Sequence, residues 1–225
     1  MVLCAALSLT TVCWADDARQ ATIDRIQHAS EVLQEVMAAP DKGIPDEVME
    51  HAKCIAVVPH LVKGAFIFGG EGGSGVATCR TAQGWSAPVF FNIAGGSWGL
   101  QIGVEGVDLV MVFQNDRGMQ ELLSSKFQLG AGASVAAGPV GRHATADTDW
   151  KMNAEILTYS RARGVFAGVS LHGAVITHDG DAMRAIYGPN VSSRAVLRGL
   201  VPAPPDTHPF LSAVRKADDQ ARASG

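Results

Sequence analysis

Basic residues are in short supply in this chain. Its 225 residues include 18 Lys and Arg against 22 Asp and Glu, which gives a formal net charge of −4. Proteins that bind nucleic acid usually carry an excess of positive charge on one face, because the phosphate backbone attracts it. The composition therefore predicts no nucleic-acid partner, and any binding to an anionic surface must come from a local cluster of cations.

Aromatic residues are also scarce, at 6%, whereas apolar residues make up 47% of the chain and Gly occurs 25 times. The apolar content is sufficient for a hydrophobic core and argues against extended disorder. Abundant Gly with few aromatic residues is typical of tight turns and closely packed strands rather than of a helical bundle. The length fits one large domain or two small ones.

The apolar stretch at residues 2–12 is too short to span a membrane as a helix. It has the length of a signal-peptide core, and Cys13-Trp14-Ala15 supplies a small-x-small cleavage site. We therefore expect residues 1–15 to be a signal peptide and the mature chain to begin at Asp16, although no Lys or Arg precedes the apolar stretch. A lipid anchor on Cys13 is an alternative, for which Val12 is a poor preceding residue, and a cytosolic protein is a second alternative.

Few cysteines remain after the predicted signal peptide, namely Cys54 and Cys79. No third or fourth ligand stands at zinc spacing beside them, so no zinc site is predicted. In an oxidising compartment the two thiols can pair, which would close a loop of about 25 residues and stabilise the fold by roughly 3 kcal/mol. The alternative is two buried free thiols in apolar strands.

Hydrophobic periodicity predicts helices at the ends of the domain and strands between them. Apolar residues recur at helical spacing over 20–38, and a second, short helix is expected to open at Pro45. Over 52–178 apolar runs are separated by turn residues, which favours hairpins and a mainly antiparallel sheet. Short helices are expected over 181–198.

The predicted fold class is therefore α+β, with a mainly antiparallel β core, sandwich or barrel-like, flanked by helices. A single domain is expected over 16–200, followed by an extended, proline-rich tail at 201–225. Alternation of apolar and small or polar residues predicts one strand over 98–104, and Glu105-Gly106 is interpreted as the turn after it.

Gly70, Gly72 and Gly75 match G-x-G-x-x-G, the spacing of a dinucleotide-binding turn. That turn places phosphates at the start of a helix, with an acidic residue about 20 positions later. Here a strand-like run follows instead, at 76–79, and the acidic residue is missing. No cofactor is predicted, and the glycines are interpreted as residues with positive φ in a hairpin turn.

Two other patterns suggest catalysis only weakly. Gly95-Gly96-Ser97-Trp98-Gly99 matches the nucleophile elbow of serine hydrolases, but a strand-like run rather than a helix follows Ser97. His172 and His178 share one face of a predicted strand with Ser170 beside them, which indicates either a polar site or the solvated face of a half-buried strand. No catalytic residue is predicted, and an enzyme using His172 and Ser170 is the least favoured alternative.

An ordered series of motifs over residues 20–200 resembles the SYLF domain family. The series comprises Ile44-Pro45, the runs 52–59 and 63–66, Gly69-Gly70, Gly75-Val76 up to Arg80, residues 85–88, 97–103, Leu129-Gly130, 138–142, Tyr159-Ser160 and 164–173. The resemblance implies an antiparallel β core with flanking helices and a lipid-binding module. Eukaryotic members bind phosphoinositides and some bind actin, whereas bacterial members are short exported proteins, often called lipoproteins.

The resemblance implies a site for anionic lipid, and the cations in or beside its motifs are Lys63, Arg80 and Arg142. For each of them the alternative is ordinary surface charge or a structural ion pair. Residues 16–35 carry five acidic side chains against two arginines, so the amino-terminal helix is not expected to attract an anionic membrane.

The resulting prediction is a non-enzymatic phospholipid-binding module of the bacterial cell envelope, exported and periplasmic or envelope-associated. The alternative is a structural or protein-interaction domain that does not bind lipid.

Overall fold

The computed structural model describes residues 10–39, 43–66, 68–98, 103–139, 154–162, 165–168, 171 and 173–224. Its helices are α1 (Thr10–Ala38), α2 (Asp46–Glu50), α3 (Asp116–Leu122), α4 (Gly180–Tyr187), α5 (Ser193–Leu197) and α6 (His208–Ser224), with a 3-10 turn at Pro205–Thr207. Its strands are β1 (Cys54–Phe66), β2 (Phe68–Thr81), β3 (Gly84–Trp85), β4 (Val89–Trp98), β5 (Gly103–Phe113), β6 (Lys126–Gln128), β7 (Val135–Ala137), β8 (Ile156–Ala162), β9 (Val165–Gly168) and β10 (Val175–His178).

The strands form one mainly antiparallel sheet with the order β6-β10-β4-β2-β1-β5-β8-β7, and β3 and β9 pair with β2 and β8. The pair β7–β8 is parallel. The hairpin of β1 and β2 occupies the centre, and its strands are buried where apolar residues run continuously, as in Cys54, Ile55, Ala56 and Val57. The predicted α+β class with a mainly antiparallel core is confirmed.

Helix α1 packs on this sheet with one apolar stripe. Ile26, Ala29, Leu33 and Val36 recur at helical spacing and are almost fully buried. The helix contacts β1, β2, α4 and α6. It begins at Thr10, so it continues through the predicted cleavage site after Ala15.

The carboxy-terminal segment is not the extended tail that its prolines suggested. After a short 3-10 turn it forms α6, which packs against α1 and α2 and buries Phe210, Leu211 and Val214. Pro209 lies in the first turn of this helix, where a missing N–H costs no intrahelical hydrogen bond. The prediction was wrong because the apolar residues after Pro209 recur at helical spacing, and their burial stabilises a helix despite the nearby prolines.

Gly70, Gly72 and Gly75 lie inside strand β2 and not in a hairpin turn. Strands β1 and β2 pair in register up to Phe66 and Phe68, and none of the three glycines has a positive φ. A Cβ at Gly75 would lie 2.3 Å from Cζ of Phe91 and 2.8 Å from the carbonyl oxygen of Val57. That glycine is needed for close packing in the sheet, so the hairpin-turn interpretation was wrong.

Glu105-Gly106 is likewise not a turn, because both residues lie within β5 and pair with Lys63 and Val62 of β1. Of the strand predicted over 98–104, Trp98 ends β4 and Gly103 begins β5, and residues 99–102 lie outside the described residues. Strand β1 extends beyond the continuous apolar run of Cys54 to Val58. It continues through a bulge at 58–61, where Pro59 removes a backbone donor.

The central hairpin carries a disulfide between Cys54 of β1 and Cys79 of β2. The two residues are directly paired in register, and both are buried. The covalent bond thus joins the two central strands at the end of the sheet that is next to α2.

Candidate functional site

Arg80 follows the disulfide cysteine on β2, and its guanidinium group is hydrogen-bonded to other residues of the protein. Nη1 and Nη2 donate to the two carboxylate oxygens of Asp218 on α6, at 2.8 and 2.9 Å. Nε donates to the carbonyl oxygen of Ala52 at 3.1 Å, and the group stacks 4.6 Å from the ring centroid of Trp85. Arg80 therefore anchors the last helix to the sheet.

Asp218 is the acceptor for three side chains. Besides Arg80, Nε1 of Trp85 donates to it at 3.2 Å and Nε of Arg222 at 3.0 Å. Burial alone would raise the pKa of this carboxyl group, but the hydrogen bonds and charge of Arg80, with Trp85 and Arg222, hold the pKa below its usual value. Asp218 therefore carries a negative charge. It occupies the place beside Arg80 at which the sequence suggested a lipid phosphate.

Of the other two predicted lipid contacts, the structure describes only the backbone of Lys63. Lys63 lies in β1, where the register places it opposite Glu71 of β2 and Glu105 of β5. Its side chain lies outside the described residues, and so does all of Arg142.

Most of the remaining described cations are held in ion pairs. These pairs are Arg19–Asp206, Arg25–Asp179, Lys53–Asp116, Arg117–Glu155, Arg161 with Asp108 and Glu35, Arg184–Asp181 and Arg222–Asp218. Within the described part of the chain, the cations outside such pairs are Lys126, Arg194, Arg198, Arg215 and Lys216, all of them exposed.

Two of these free cations lie on the short helix α5 and at its carboxyl end, namely Arg194 within the helix and Arg198 as its C-cap. The hydroxyl group of Ser192 accepts from the N–H of Ala195 at 3.2 Å and caps the start of the helix. Val196 and Leu197 are buried beneath it. Arg194 and Arg198 are four residues apart and share its exposed face.

An exposed leucine follows the same helix. Gly199, with φ +76°, ends α5 in a Schellman motif, in which the N–H of Leu200 donates to the carbonyl oxygen of Ala195 at 3.0 Å. In this motif the residue at the position of Leu200 usually packs back on the helix. Leu200 instead is 74% exposed, the largest value among the described large apolar residues.

We call Arg194, Arg198 and Leu200 the α5 patch. It combines an unburied apolar side chain with two guanidinium groups that have no ion-pair partner among the described residues. Such a surface is suited to contact a phosphate-rich layer over an apolar one. Sequence reasoning missed it, although an apolar residue directly after a Gly, with arginines two and six positions before it, was visible.

Among the residues that suggested catalysis, the structure describes Ser97 and His178. Ser97 lies in β4, paired with Gly69, and a ring nitrogen of His178 donates to the carbonyl oxygen of Leu122 at 3.0 Å. Ser170 and His172 lie outside the described residues. In the part of the chain that the structure describes, no group of three or more His, Cys, Asp or Glu is placed to hold a metal ion, and no helix is long and apolar enough to cross a membrane.

Comparison with known proteins gives one consistent result. Residues 94–217 match a family model described as "Ysc84: Las17-binding protein actin regulator". The chain is 36% identical over 175 residues to "Protein YSC84" of Saccharomyces cerevisiae, which covers 76% of this chain and 37% of that protein. It is 34% identical over 187 residues to "LAS seventeen-binding protein 3" of the same yeast, covering 81% of this chain and 40% of the relative.

An animal relative is similar to the same degree. The human "SH3 domain-containing YSC84-like protein 1" is 35% identical over 167 residues, 73% of this chain and 48% of that protein. The chain thus spans less than half the length of these relatives.

Proposed function

Because the chain belongs to the Ysc84 (SYLF) family, we propose that it is a non-enzymatic module that binds anionic phospholipid in the bacterial cell envelope. The observation that carries this proposal is the α5 patch, in which Leu200 is 74% exposed beside two arginines outside any ion pair of the described residues. Arg80, which the sequence suggested, is not part of the site because Asp218 already occupies it.

The binding free energies that the α5 patch can contribute favour weak, reversible binding. Inserting a leucine side chain into the apolar layer contributes about 2 kcal/mol, and each arginine near an anionic surface contributes about 1 kcal/mol. The sum of about 4 kcal/mol corresponds to a dissociation constant on the order of 1 mM. Stable attachment to a membrane generally requires a second anchor. A lipid on Cys13, or several copies of the chain on one membrane, would supply it.

Two features support an exported location. The disulfide between Cys54 and Cys79 fits an oxidising compartment, and residues 1–15 have the pattern of a signal peptide. Intact mass of the mature protein distinguishes a chain that starts at Asp16 from one acylated at Cys13. Alkylation of Cys54 and Cys79 only after reduction would support the disulfide, and retention of residues 1–15 in the mature protein would contradict export.

The lipid proposal is tested by flotation with vesicles. We expect the protein to float with vesicles that contain phosphatidylglycerol and not with pure phosphatidylcholine, and we expect added salt to reduce flotation, because the Debye length shortens. The double variant Arg194→Ala/Arg198→Ala and the single variant Leu200→Ser should each reduce flotation. Arg215→Ala/Lys216→Ala is the matched control, because it removes the same charge from exposed cations of α6 that lie outside the ion pairs of the described residues.

Equal loss in the control variant would show that only net charge matters, and the α5 patch would then be the wrong site. No flotation of the parent protein at any salt concentration would reject lipid binding for this chain.

A second candidate function is protein binding. The matched family is described as Las17-binding, and one relative is named a LAS seventeen-binding protein. By this alternative the α5 patch contacts an acidic, partly apolar segment of a partner. A photo-crosslinking residue placed at Leu200 in cells separates the two functions, since it would label lipid in one case and one defined protein in the other.

A further inference from the structure

Two histidines from different elements meet at the surface of the fold. His28 lies on the exposed side of α1, and His60 lies in the bulge of β1. Their ring centroids are 5.6 Å apart, and the rings meet edge to face with an angle of 80° between their planes. The fold therefore presents two imidazoles at one point, although nothing in the spacing of the sequence connects them.

His60 is held rigidly in this place by its backbone. Its φ of +57° lies in the left-handed region, which His adopts more readily than most residues that have a side chain. Its N–H donates to Oδ1 of Asp108 at 3.0 Å, and the other oxygen of Asp108 accepts from Arg161 at 2.7 and 2.9 Å. An uncommon backbone conformation that the surroundings hold in place is often found at a functional site.

Helix α1 offers a third donor group beside His28. Glu31 is three residues after His28, so the two share one face of α1. It is exposed and makes no ion pair with another described residue. The neighbouring network of Glu35, Asp108 and Arg161 carries one negative charge in sum, which favours a cation.

We propose that His28, His60 and Glu31 bind a divalent transition-metal ion of the Zn²⁺ type. Zinc takes His nitrogen at about 2.0–2.1 Å and carboxylate oxygen at about 2.0–2.2 Å in tetrahedral geometry, which places the centroids of two bound imidazoles about 5 Å apart. The observed separation of 5.6 Å is close to this value, and the edge-to-face rings must turn so that one nitrogen of each points at the ion. Glu31 must turn toward them, because no three such groups are already assembled among the described residues. Water completes the coordination.

Such an ion would join α1 to the central strand of the sheet. It would therefore stabilise the docking of the amino-terminal helix, since binding to the folded state alone raises stability.

The test uses the full chain purified without a histidine tag. Calorimetric titration with ZnCl₂ at pH 7.5 should show one ion per chain, and saturating ZnCl₂ should raise the melting temperature by roughly 5 °C. His28→Gln and His60→Asn should each weaken binding by about tenfold or more. Asn is chosen at position 60 because it tolerates the left-handed conformation.

His51→Gln is the control, because His51 is an exposed histidine of α2's carboxyl end, hydrogen-bonded to Glu47. It should bind zinc as the parent does, and circular dichroism should show all variants folded. Equal affinity of the His28 or His60 variant and the parent, or no binding by the parent, would overturn the proposal. Glu31→Gln should weaken binding, and an unchanged affinity would remove Glu31 from the site.

Discussion

Arg80 and Asp218 form a two-point ion pair, at 2.8 and 2.9 Å, between positions 138 residues apart in the chain. Arg80 stands beside the disulfide in the centre of the sheet, and Asp218 lies on the last helix. This contact joins the carboxy-terminal helix α6 to the family motif around Arg80, and it converts a candidate ligand-binding cation into a structural one.

Removing the acid of this pair should therefore destabilise the protein. The side chains of Arg80 and Asp218 are only 24% and 11% exposed, so Asp218→Asn leaves a half-buried guanidinium without its counterion. We expect a loss of about 2–3 kcal/mol in urea unfolding, below the range for fully buried pairs.

Asp181→Asn is the control for this substitution. It breaks an ion pair with Arg184 in which the side chains are 84% and 63% exposed, and it should change stability by less than about 0.5 kcal/mol. Equal effects of the two substitutions would show that α6 is not anchored by Asp218.

The carboxylate of Asp218 should make the stability of the protein depend on pH in the acidic range. Burial would raise the pKa of Asp218, but Arg80, Trp85 and Arg222 lower it overall. A lowered pKa in the folded state means that the contribution of Asp218 is fully present above its unfolded value, about 3.9, and is lost as the pH falls through the lower folded value.

Thermal unfolding between pH 6 and pH 2.5 measures this loss. The parent should lose more stability than Asp218→Asn as the pH falls below about 4. The variant should keep some acid dependence, since the pKa of Glu155 is also lowered: burial opposes the shift, but hydrogen bonds from Ser134 and the charge of Arg117 outweigh it. Parallel pH profiles would contradict the prediction.

The glycines of β2 should differ sharply in their tolerance of a side chain. At Gly75 an added Cβ would lie 2.3 Å from Cζ of Phe91, and at Gly72 the nearest neighbour is the carbonyl oxygen of Ile93 at 3.8 Å. Gly75→Ala should cost about 1–3 kcal/mol by overpacking, whereas Gly72→Ala should be neutral or gain about 0.5 kcal/mol. Melting temperatures of the two variants give the comparison, and a costly Gly72→Ala with a harmless Gly75→Ala would contradict this packing.

Two tyrosines offer a matched test of hydrogen bonding. The hydroxyl group of Tyr159 is buried without a hydrogen-bond partner in the described part of the fold, whereas that of Tyr187 donates to the carbonyl oxygen of Pro88. Tyr159→Phe should leave stability unchanged or increase it, because it removes an unsatisfied polar group. Tyr187→Phe should cost about 1 kcal/mol. A clear loss in Tyr159→Phe, measured by urea unfolding, would show that its hydroxyl group has a partner.

Local patterns in the sequence were sufficient for the class of the fold. The apolar stripe of α1 and the continuous runs of Cys54 to Val58 and Val107 to Phe113 predict their elements because each run must be buried, whatever it packs against. The ordered motifs also identified the family. The same local reasoning failed at Pro209, since the gain from burying Phe210 and Leu211 against α1 and α2 depends on partners far away in the chain.

Which cations remain available to a ligand, in contrast, is decided by the tertiary structure. In the sequence, an arginine that is free to bind a ligand looks the same as one that is held in an ion pair. For Arg80 the difference is made by Asp218, which the fold places beside it. The exposure of Leu200 and the meeting of His28 with His60 follow in the same way from how helices dock on the sheet. Sequence by itself determined, through apolar patterns, that the stripe of α1 and the continuous strand runs are buried. Which charges remain free, and that α6 docks on the fold, was determined by contacts between residues distant in the chain.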